Sequence, residues 1–492
     1  MRKLIPGIAA LLLVGVAGPA LAQQPVAPAA ATGATTERAA SVVPLVQKLQ
    51  PQLEKLSRDI WGYAEIGFKE TKSSAELQDA LKKAGFKVEA GVAGMPTAFV
   101  ATAGSGGPVI ALLAEFDALP GLAQHAVPEL SPIEGQIAGH ACGHNLLGAA
   151  SVTAAIAIKE WLAANGVEGT IRLYGTPAEE GGFSKVYMVR DGLFKDVAVT
   201  LSWHPGDSTS TTPGRSLAMV SGKFRFEGVA SHAAVAPERG RSALDGVEVM
   251  NVAANFMREH VPQDTRIQYV ITNGGGQPNI VPAKAESFYF VRNHDAEVVK
   301  SVWQRLTKAA EGAALATGTR VTFELLSGTY DTLPNVSLNK LVHQSLERVG
   351  GYSYTPAEAE FARKIIATYP DQKITASDPA VIQPMGAERL GYASSDVGDI
   401  SWVTPTASLS TATFVRGTSA HSWQAAATGG TTIGEKGALV AAKTMALTAA
   451  ELFLRPDEIA AAKAEFDQRR GPDFQYVSLI GDRAPALDYT DR

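Results

Sequence analysis

The stretch Val109-Ile-Ala-Leu-Leu-Ala-Glu-Phe-Asp117 is apolar from its first residue to Ala114. Such a run is typical of a strand in a sheet that is covered on both faces. Two further strands are predicted at Thr170–Tyr174 and Val197–Ser202, with a helix near Lys185–Asp191 between them. The Ala-rich segment Leu146–Ala164 predicts a long helix between the first and second strands. This alternation indicates an α/β domain whose sheet is covered by helices.

A segment from about Leu217 to Leu326 interrupts this alternation with a different order of predicted strands and helices. Ser242 and Asp295 are the residue types that cap helices, and each begins a helical pattern here. Predicted strands flank these helices at Phe224–Val229, Arg266–Ile271, Ala285–Val291 and Arg320–Leu326. The order β-α-β-β-α-β predicts a ferredoxin-like domain inserted into the larger one.

The domain limits predicted from these patterns divide the chain into six parts. The α/β domain occupies residues 41–215 and 329–470, the inserted domain residues 216–328, and a C-terminal tail residues 471–492. Two N-terminal parts, residues 1–22 and 23–40, precede them. Neither the polar stretch 351–400 nor the tail has a periodicity that indicates a role.

The first 22 residues have the pattern of a secretory signal peptide. Arg2 and Lys3 precede an apolar run, Ile8 to Val16, which is followed by the small-residue cleavage pattern Ala20-Leu21-Ala22. We therefore expect export to the periplasm or the extracellular space, with an uncleaved anchor as the alternative. Residues 23–40 are predicted to be a flexible leader because they are rich in Pro, Ala and Thr.

Composition limits the classes of function. The 492 residues are 46% hydrophobic and 19% charged, with a formal net charge of −5 and no long basic block. A nucleic-acid partner and an anionic membrane surface are therefore not expected, and neither is stable membrane insertion, because the N-terminal apolar run is too short to span a bilayer. With Cys142 as its single cysteine, the chain forms no intramolecular disulfide.

Residues that could bind a metal follow the predicted strands. Asp117, Glu179-Glu180 and His204 lie at or just after the ends of three strands. The carboxyl ends of strands in an open α/β sheet lie along one edge, so these side chains are expected to converge there. Alone, the Glu179-Glu180 pair could be a solvated turn and His204 a structural histidine.

Cys142-Gly143-His144, at the start of the Ala-rich helix, adds a thiol and an imidazole. A helix N-terminus favours the thiolate form, and a thiolate beside an imidazole is a typical metal-ligand pair. Alone, Cys142 could be a buried apolar residue. His140 lies close by in sequence and strengthens the metal hypothesis. The chain contains neither a His-Glu-x-x-His run nor a Gly-x-Ser-x-Gly elbow, which argues against zincins and serine hydrolases.

Five motifs together resemble the M20 metallopeptidase/amidohydrolase family, subfamily D. They are Gly139-His-Ala-Cys-Gly-His-Asn145, Gly175-Thr-Pro-Ala-Glu-Glu-Gly-Gly182, Trp203-His-Pro205, Ser395-Asp-Val-Gly-Asp-Ile-Ser-Trp402 and Ala420-His-Ser422. The resemblance covers nearly the whole mature chain. It implies a catalytic domain with a helix-covered mixed sheet, and an inserted ferredoxin-like lid and dimerisation domain.

The resemblance further implies a site for two divalent metal ions, either zinc, manganese or cobalt. The implied ligands are Cys142, His144, Glu180, His204 and His421, with Cys142 a bridge. Glu179 would be the general base, and Asp117 would orient a ligand. Much of the family has a histidine ligand two residues before this aspartate; Glu115 stands there in this chain and is not assigned as a ligand.

In the inserted domain, the resemblance implies that His232 stabilises the oxyanion, across a dimer in relatives, and that Asn279 and Arg292 hold the substrate carboxylate. The implied reaction is hydrolysis of the amide bond of N-acyl amino acids, p-aminobenzoyl compounds included. The expected partners are a small amide with a free carboxylate and other copies of the chain, in a homodimer or larger homo-oligomer. The alternatives are a metallo-carboxypeptidase or dipeptidase acting on small peptides, and a non-catalytic partner subunit.

Overall fold

A mixed sheet of six strands forms the centre of the larger domain in the computed structural model, which describes residues 33–370 and 378–491. The predicted signal peptide, residues 1–22, lies outside the described residues. In spatial order, the strands are β1 (Lys87–Ala90), β2 (Phe99–Ser105), β6 (Gly169–Gly175), β3 (Val109–Ala114), β7 (Val199–Gly206) and β14 (Thr406–Ala412). β6, β3, β7 and β14 run parallel, whereas β1 and β2 pair antiparallel. This arrangement confirms the predicted helix-covered α/β sheet.

Helices cover this sheet on both faces. They are α1 (Gly33–Ala40), α2 (Val42–Lys48), α3 (Gln50–Tyr63), α4 (Thr71–Lys83), α5 (His144–Asn165), α6 (Ser184–Arg190), α9 (Val336–Val349), α10 (Pro356–Ile366), α11 (Val397–Ser401), α12 (Trp423–Gly429), α13 (Thr432–Leu454) and α14 (Pro456–Arg470). Two short sheets complete the domain, one of β4 (Leu119–Pro120) with β5 (Ala138–Gly139) and one of β8 (Gly214–Arg215) with β13 (Arg389–Leu390).

The two Ala-rich helices, α5 and α13, pack against each other in the core. Both are long and apolar enough to span a membrane by length and composition alone. Their most apolar windows are, however, 83% and 89% buried within the protein. Their apolar character therefore reflects burial in the core of the fold.

The N-terminal leader was predicted to be flexible over residues 23–40, and this is wrong for residues 33–40, which form α1. Ala39 is fully buried, and the Trp161 indole donates a hydrogen bond to the Arg38 carbonyl at 3.0 Å. Packing of α1 against α13 and the hydrogen bond from α5 thus order a segment whose composition alone resembles a linker. Residues 23–32 lie outside the described part of the chain.

The inserted domain has the predicted order of elements: β9 (Ala218–Glu227), α7 (Ala243–Met257), β10 (Arg266–Asn273), β11 (Lys284–Asn293), α8 (Ala296–Thr317) and β12 (Arg320–Thr329). Its strands form an antiparallel sheet in the order β10-β11-β9-β12. Both predicted caps are present: Ser242 accepts from the Asp245 amide and Asp295 from the Glu297 amide. The ferredoxin-like insertion is thus confirmed, while the limits 216–328 stay a prediction.

Candidate metal centre

The predicted site residues reach one edge of the central sheet because three parallel strands end there. Asp117 follows β3, Glu179 and Glu180 follow β6, and His204 lies near the end of β7. Cys142 comes just before α5, whose first residue is His144. The carboxyl ends of parallel strands are the usual place for ligands in such sheets.

Two groups of donor atoms meet at Cys142. One group is Cys142, His144 and His204, and the other is Cys142, Glu180 and His421; within each group the donor atoms lie within 4.8 Å of one another. Cys142 Sγ lies 3.4 Å from His204 Nε2, and His421 Nε2 lies 3.2 Å from Glu180 Oε1. The structure thus brings together all five residues predicted as ligands, and the thiol is common to both groups.

Special backbone conformations hold several of these residues. Gly143, between Cys142 and His144, has a φ of 78°, and a Cβ there would lie 2.7 Å from Pro205 Cβ. Glycine is therefore required at this position. His421 also has a positive φ, 60°, and its amide donates to the Ala141 carbonyl at 2.9 Å. Such conformations in residues with side chains concentrate at functional sites.

Asp117 connects two parts of the site. Its Oδ1 lies 2.8 Å from His144 Nδ1, and its Oδ2 accepts the Glu180 amide at 3.0 Å. The first contact engages Nδ1 and leaves His144 Nε2 as the ring nitrogen available to a metal, and the second fixes the loop that carries Glu180. This geometry agrees with the predicted orienting role, since imidazole ligands are commonly held by a carboxylate.

A buried lysine that the sequence analysis did not single out lies behind the site. Lys185, at the start of α6, is fully buried and pairs with Glu115 at 2.8 Å and Asp396 at 2.6 Å. Burial raises the pKa of Asp396 to about 6 although Lys185 lowers it. Burial also acts to raise the pKa of Glu115, but the charges of Lys185 and His144 outweigh it and hold that pKa below its usual value. Glu115 is thus an ion-pair partner of Lys185 behind the ligand cluster.

Glu179 lies beside the cluster. Donor atoms of Glu115, His144 and Glu179 are within 4.8 Å of one another. Glu179 also lines a cavity of about 570 Å³, as do Glu180 and His421. It is therefore placed between the ligand groups and the space that a substrate could occupy.

Unpaired donor atoms show that the cluster fits a metal. His144 Nε2 and Glu115 Oε2 are buried and, among the described residues, have no hydrogen-bond partner, although 3.2 Å separates them. Burial raises the pKa of the Cys142 thiol, so a thiolate here needs a compensating positive charge. A thiol, three imidazoles and a carboxylate at this spacing match the ligand preferences of zinc and similar divalent ions.

The inserted domain forms the opposite wall of the 570 Å³ cavity. Phe288, Phe290 and Arg292, all from β11, lie along it. Arg292 stacks on Phe290 at 5.2 Å, and its Nε is buried without a hydrogen-bond partner in the described part of the chain. Arg292 is therefore placed to meet an anionic group in the cavity, as predicted for a carboxylate-binding residue.

His232 and Asn279 do not reach this cavity in the same chain. Both are exposed, and they lie next to each other, since the Ala233 amide donates to the Asn279 carbonyl at 2.9 Å. His232 Nδ1 accepts the amides of Ala234 and Val235 at 3.2 Å, which leaves Nε2 as a free donor. Among the described residues, neither side chain lines this cavity, so their predicted roles stay predictions.

His140, which supported the metal hypothesis, is a structural residue. It is buried, and its Nε2 lies 3.0 Å from the Ile60 carbonyl. Burial lowers its pKa to about 3. The neutral ring therefore joins the Cys142 loop to α3.

Comparison with known proteins defines the class to which this fold and site belong. Residues 218–317 match the family model described as a peptidase dimerisation domain of M20 type. The chain is 41% identical over 428 residues to one of the subunits of p-aminobenzoyl-glutamate hydrolase of Escherichia coli (strain K12), with 81% of this chain and 88% of that protein covered. It is 28% identical to Xaa-Arg dipeptidase of Mus musculus, with 86% and 90% covered.

A solved structure agrees with the fold. A dinuclear metal binding peptidase of the M20 family from Bacillus subtilis superposes with a TM-score of 0.56 at 18% identity, covering 83% of this chain and 99% of that one. The chain belongs to the M20 family and is a metal-dependent amidohydrolase/peptidase. This classification argues against a non-catalytic partner subunit, one of the alternatives left open by the sequence.

Proposed function

We propose that this protein hydrolyses the amide bond of N-acyl amino acids, p-aminobenzoyl amino acids included, using two divalent metal ions and Glu179 as the general base. The observation that carries the proposal is that Cys142 is shared by two groups of donor atoms, with Glu179 next to them and on the cavity. The name of the Escherichia coli relative supports the substrate class.

The proposed ligands divide between two positions. Cys142, His144 and His204 would hold one ion, and Cys142, Glu180 and His421 the other. When bound, a pair of zinc, manganese or cobalt ions polarises the scissile carbonyl and lowers the pKa of a water molecule. Asp117 contributes by holding His144 and the Glu180 amide in place.

Glu179 handles the proton in this proposal. Its carboxylate accepts a proton from the attacking water and then gives it to the departing amine nitrogen, the two tasks of a general acid–base residue. His232 Nε2 of a second copy would donate a hydrogen bond to the tetrahedral oxygen, an interaction worth about 3–4 kcal/mol when well placed.

Arg292 accounts for the free carboxylate that we expect in the substrate. Its guanidinium lies in the cavity beside Phe290, with one buried nitrogen available. A guanidinium matches a carboxylate in shape and charge. Asn279 of the second copy would complete the carboxylate site.

The experiment that tests this function compares Glu179→Gln with the exposed control Glu134→Gln. We expect Glu179→Gln to lower kcat on p-aminobenzoyl-glutamate by about 10²–10⁴-fold, because the proton acceptor is lost. Its metal content should equal that of the wild type, and the control should be unchanged in both. Loss of metal from the Glu179 variant would make Glu179 a ligand and contradict its role as a base.

Dipeptide hydrolysis is the second candidate, because the similarity to the mouse Xaa-Arg dipeptidase extends over most of the chain. A panel that pairs each N-acyl amino acid with the dipeptide of the same C-terminal residue separates the two activities. We expect higher kcat/KM for the N-acyl compounds. Higher values for the dipeptides would reassign the enzyme as a dipeptidase.

Assembly and location complete the proposal. We infer a homodimer or larger homo-oligomer, since the inserted domain matches a dimerisation domain and His232 is exposed on it. Light scattering during gel filtration tests this, and a monomer that is active would contradict it. We also propose export through the N-terminal signal peptide; an N-terminus that begins after Ala22 in a cell-free periplasmic or culture fraction supports it, and an intact N-terminus in the cytoplasm refutes it.

A further inference from the structure

The C-terminal tail, residues 471–491, is anchored by aromatic residues at the junction of the two domains. The Phe474 ring packs against the Trp402 ring in a tilted arrangement, with 4.6 Å between the ring centroids. The Tyr476 hydroxyl donates to Asp399 Oδ1 at 2.6 Å, and the Tyr330 hydroxyl donates to the Val477 carbonyl at 2.9 Å. The aperiodic sequence of the tail thus has a fixed path.

Further along, the tail contacts both domains at one point. Arg483 donates to the carbonyls of Leu325 and Leu326 in β12 of the inserted domain. Arg190, at the end of α6 in the catalytic domain, donates in turn to the Arg483 carbonyl at 2.6 Å. These contacts fix the direction in which the last residues leave the junction.

Tyr489 brings the tail to the substrate cavity. This side chain lines the cavity together with Glu179 and Glu180, and its ring meets the ring of Phe68 edge-on at 5.8 Å. A Cβ at Gly181, in the loop next to Glu180, would lie 2.9 Å from the Tyr489 ring. The ring is therefore seated directly on the loop that carries the proposed base, with part of its surface still exposed.

We propose that Tyr489 is a specificity-determining residue that packs against the acyl group of the substrate and favours aromatic acyl groups. The inference rests on the proposed function, in which Arg292 on the inserted domain holds the carboxylate and Glu179 marks the scissile amide. In that arrangement the acyl group lies on the other side of the amide, where the Tyr489 ring forms an aromatic wall of the cavity on the catalytic domain. The buried Phe68 ring packs edge-on behind it. Aromatic rings pack favourably edge-on or offset against such a wall.

The test compares Tyr489→Ala and Tyr489→Phe with Val477→Ala, which alters an exposed side chain of the same tail. The substrates are benzoyl-, p-aminobenzoyl- and acetyl-glutamate, so only the acyl group varies. We expect Tyr489→Ala to lower kcat/KM for the aromatic compounds about tenfold more than for acetyl-glutamate, while Tyr489→Phe keeps the preference. Val477→Ala should behave as the wild type.

Binding of benzoate and acetate to the same variants, measured by calorimetry, provides a readout that does not need turnover. If benzoate binds more weakly to Tyr489→Ala and to no other variant, the role of Tyr489 is supported. This holds even if the wild type cleaves none of the three amides, because that absence of cleavage would overturn only the proposed function. An equal loss for aromatic and acetyl compounds, or no loss, overturns the specificity role. So does unchanged benzoate binding in Tyr489→Ala.

Discussion

Replacing Lys185 with methionine removes the ammonium group that pairs with two buried carboxylates. The Lys185 ammonium lies 2.8 Å from Glu115 and 2.6 Å from Asp396, and the three side chains are at most 3% exposed. Removing one member of a buried ion pair costs about 3–5 kcal/mol, because the remaining charge is left without a partner. Methionine fills most of the volume, so the loss reports charge more than packing.

The expected result is a fall in the unfolding midpoint of about 6–10 °C, taking about 2 °C per kcal/mol for a large chain. Circular dichroism during heating, at one fixed metal concentration, measures it. The control Lys195→Met changes an exposed lysine and should shift the midpoint by less than about 1 °C.

A triple variant, Lys185→Met with Glu115→Gln and Asp396→Asn, separates charge from packing. Because no buried charge is then left unpaired, we expect it to recover at least about half of the lost stability. A single variant as stable as the wild type, or a triple variant less stable than the single one, would refute the reasoning from buried charge.

Three further predictions concern the ligand loop and the domain junction. Cys142→Ser should weaken metal loading, since a hydroxyl is a poor replacement for a thiolate, and unchanged metal stoichiometry by elemental analysis would contradict the ligand role of Cys142. Gly143→Ala should lower both metal content and thermal stability, because its positive φ and its contact with Pro205 leave no room for a methyl group; normal metal content would contradict this. Burial raises the pKa of Asp399 from 3.8 to about 7, so its carboxyl stabilises the fold at low pH and loses that contribution as pH rises towards 7. Relative to Asp399→Asn, the wild type should therefore lose up to about 1.4 kcal/mol of unfolding free energy per pH unit between pH 4 and 7. Above pH 7, the difference in unfolding free energy between the two proteins should stay constant. Urea titrations measure it, and parallel pH profiles for the two proteins would refute the prediction.

The elements that could be predicted from the sequence are those with local signals. The helix caps Ser242 and Asp295 and the apolar run of β3 can be recognised from consecutive residues alone. The inserted domain and the central sheet could therefore be predicted from them. Of the five expected ligands, Glu180 and His204 converged because the parallel strands that carry them end at one edge of the sheet. Cys142 and His144 stood out because they lie together at the start of α5. His421 is the exception, since only the motif resemblance indicated it.

The features that could not be predicted depend on long-range contacts. Lys185 and Asp396 are 211 residues apart, and no local pattern indicates that they form a pair. The tail has no periodicity, because its burial comes from single aromatic contacts such as the one between Tyr489 and Phe68. The helix α1 likewise depends on Trp161, far away in the sequence.

Anomalous diffraction from crystals of the metal-loaded enzyme is the sharpest test of a two-metal site that shares Cys142. We expect two peaks per chain at the metal absorption edge, both within bonding distance of Cys142 Sγ. His144 and His204 should lie at one peak, and Glu180 and His421 at the other. A single peak, or peaks away from Cys142, would contradict it.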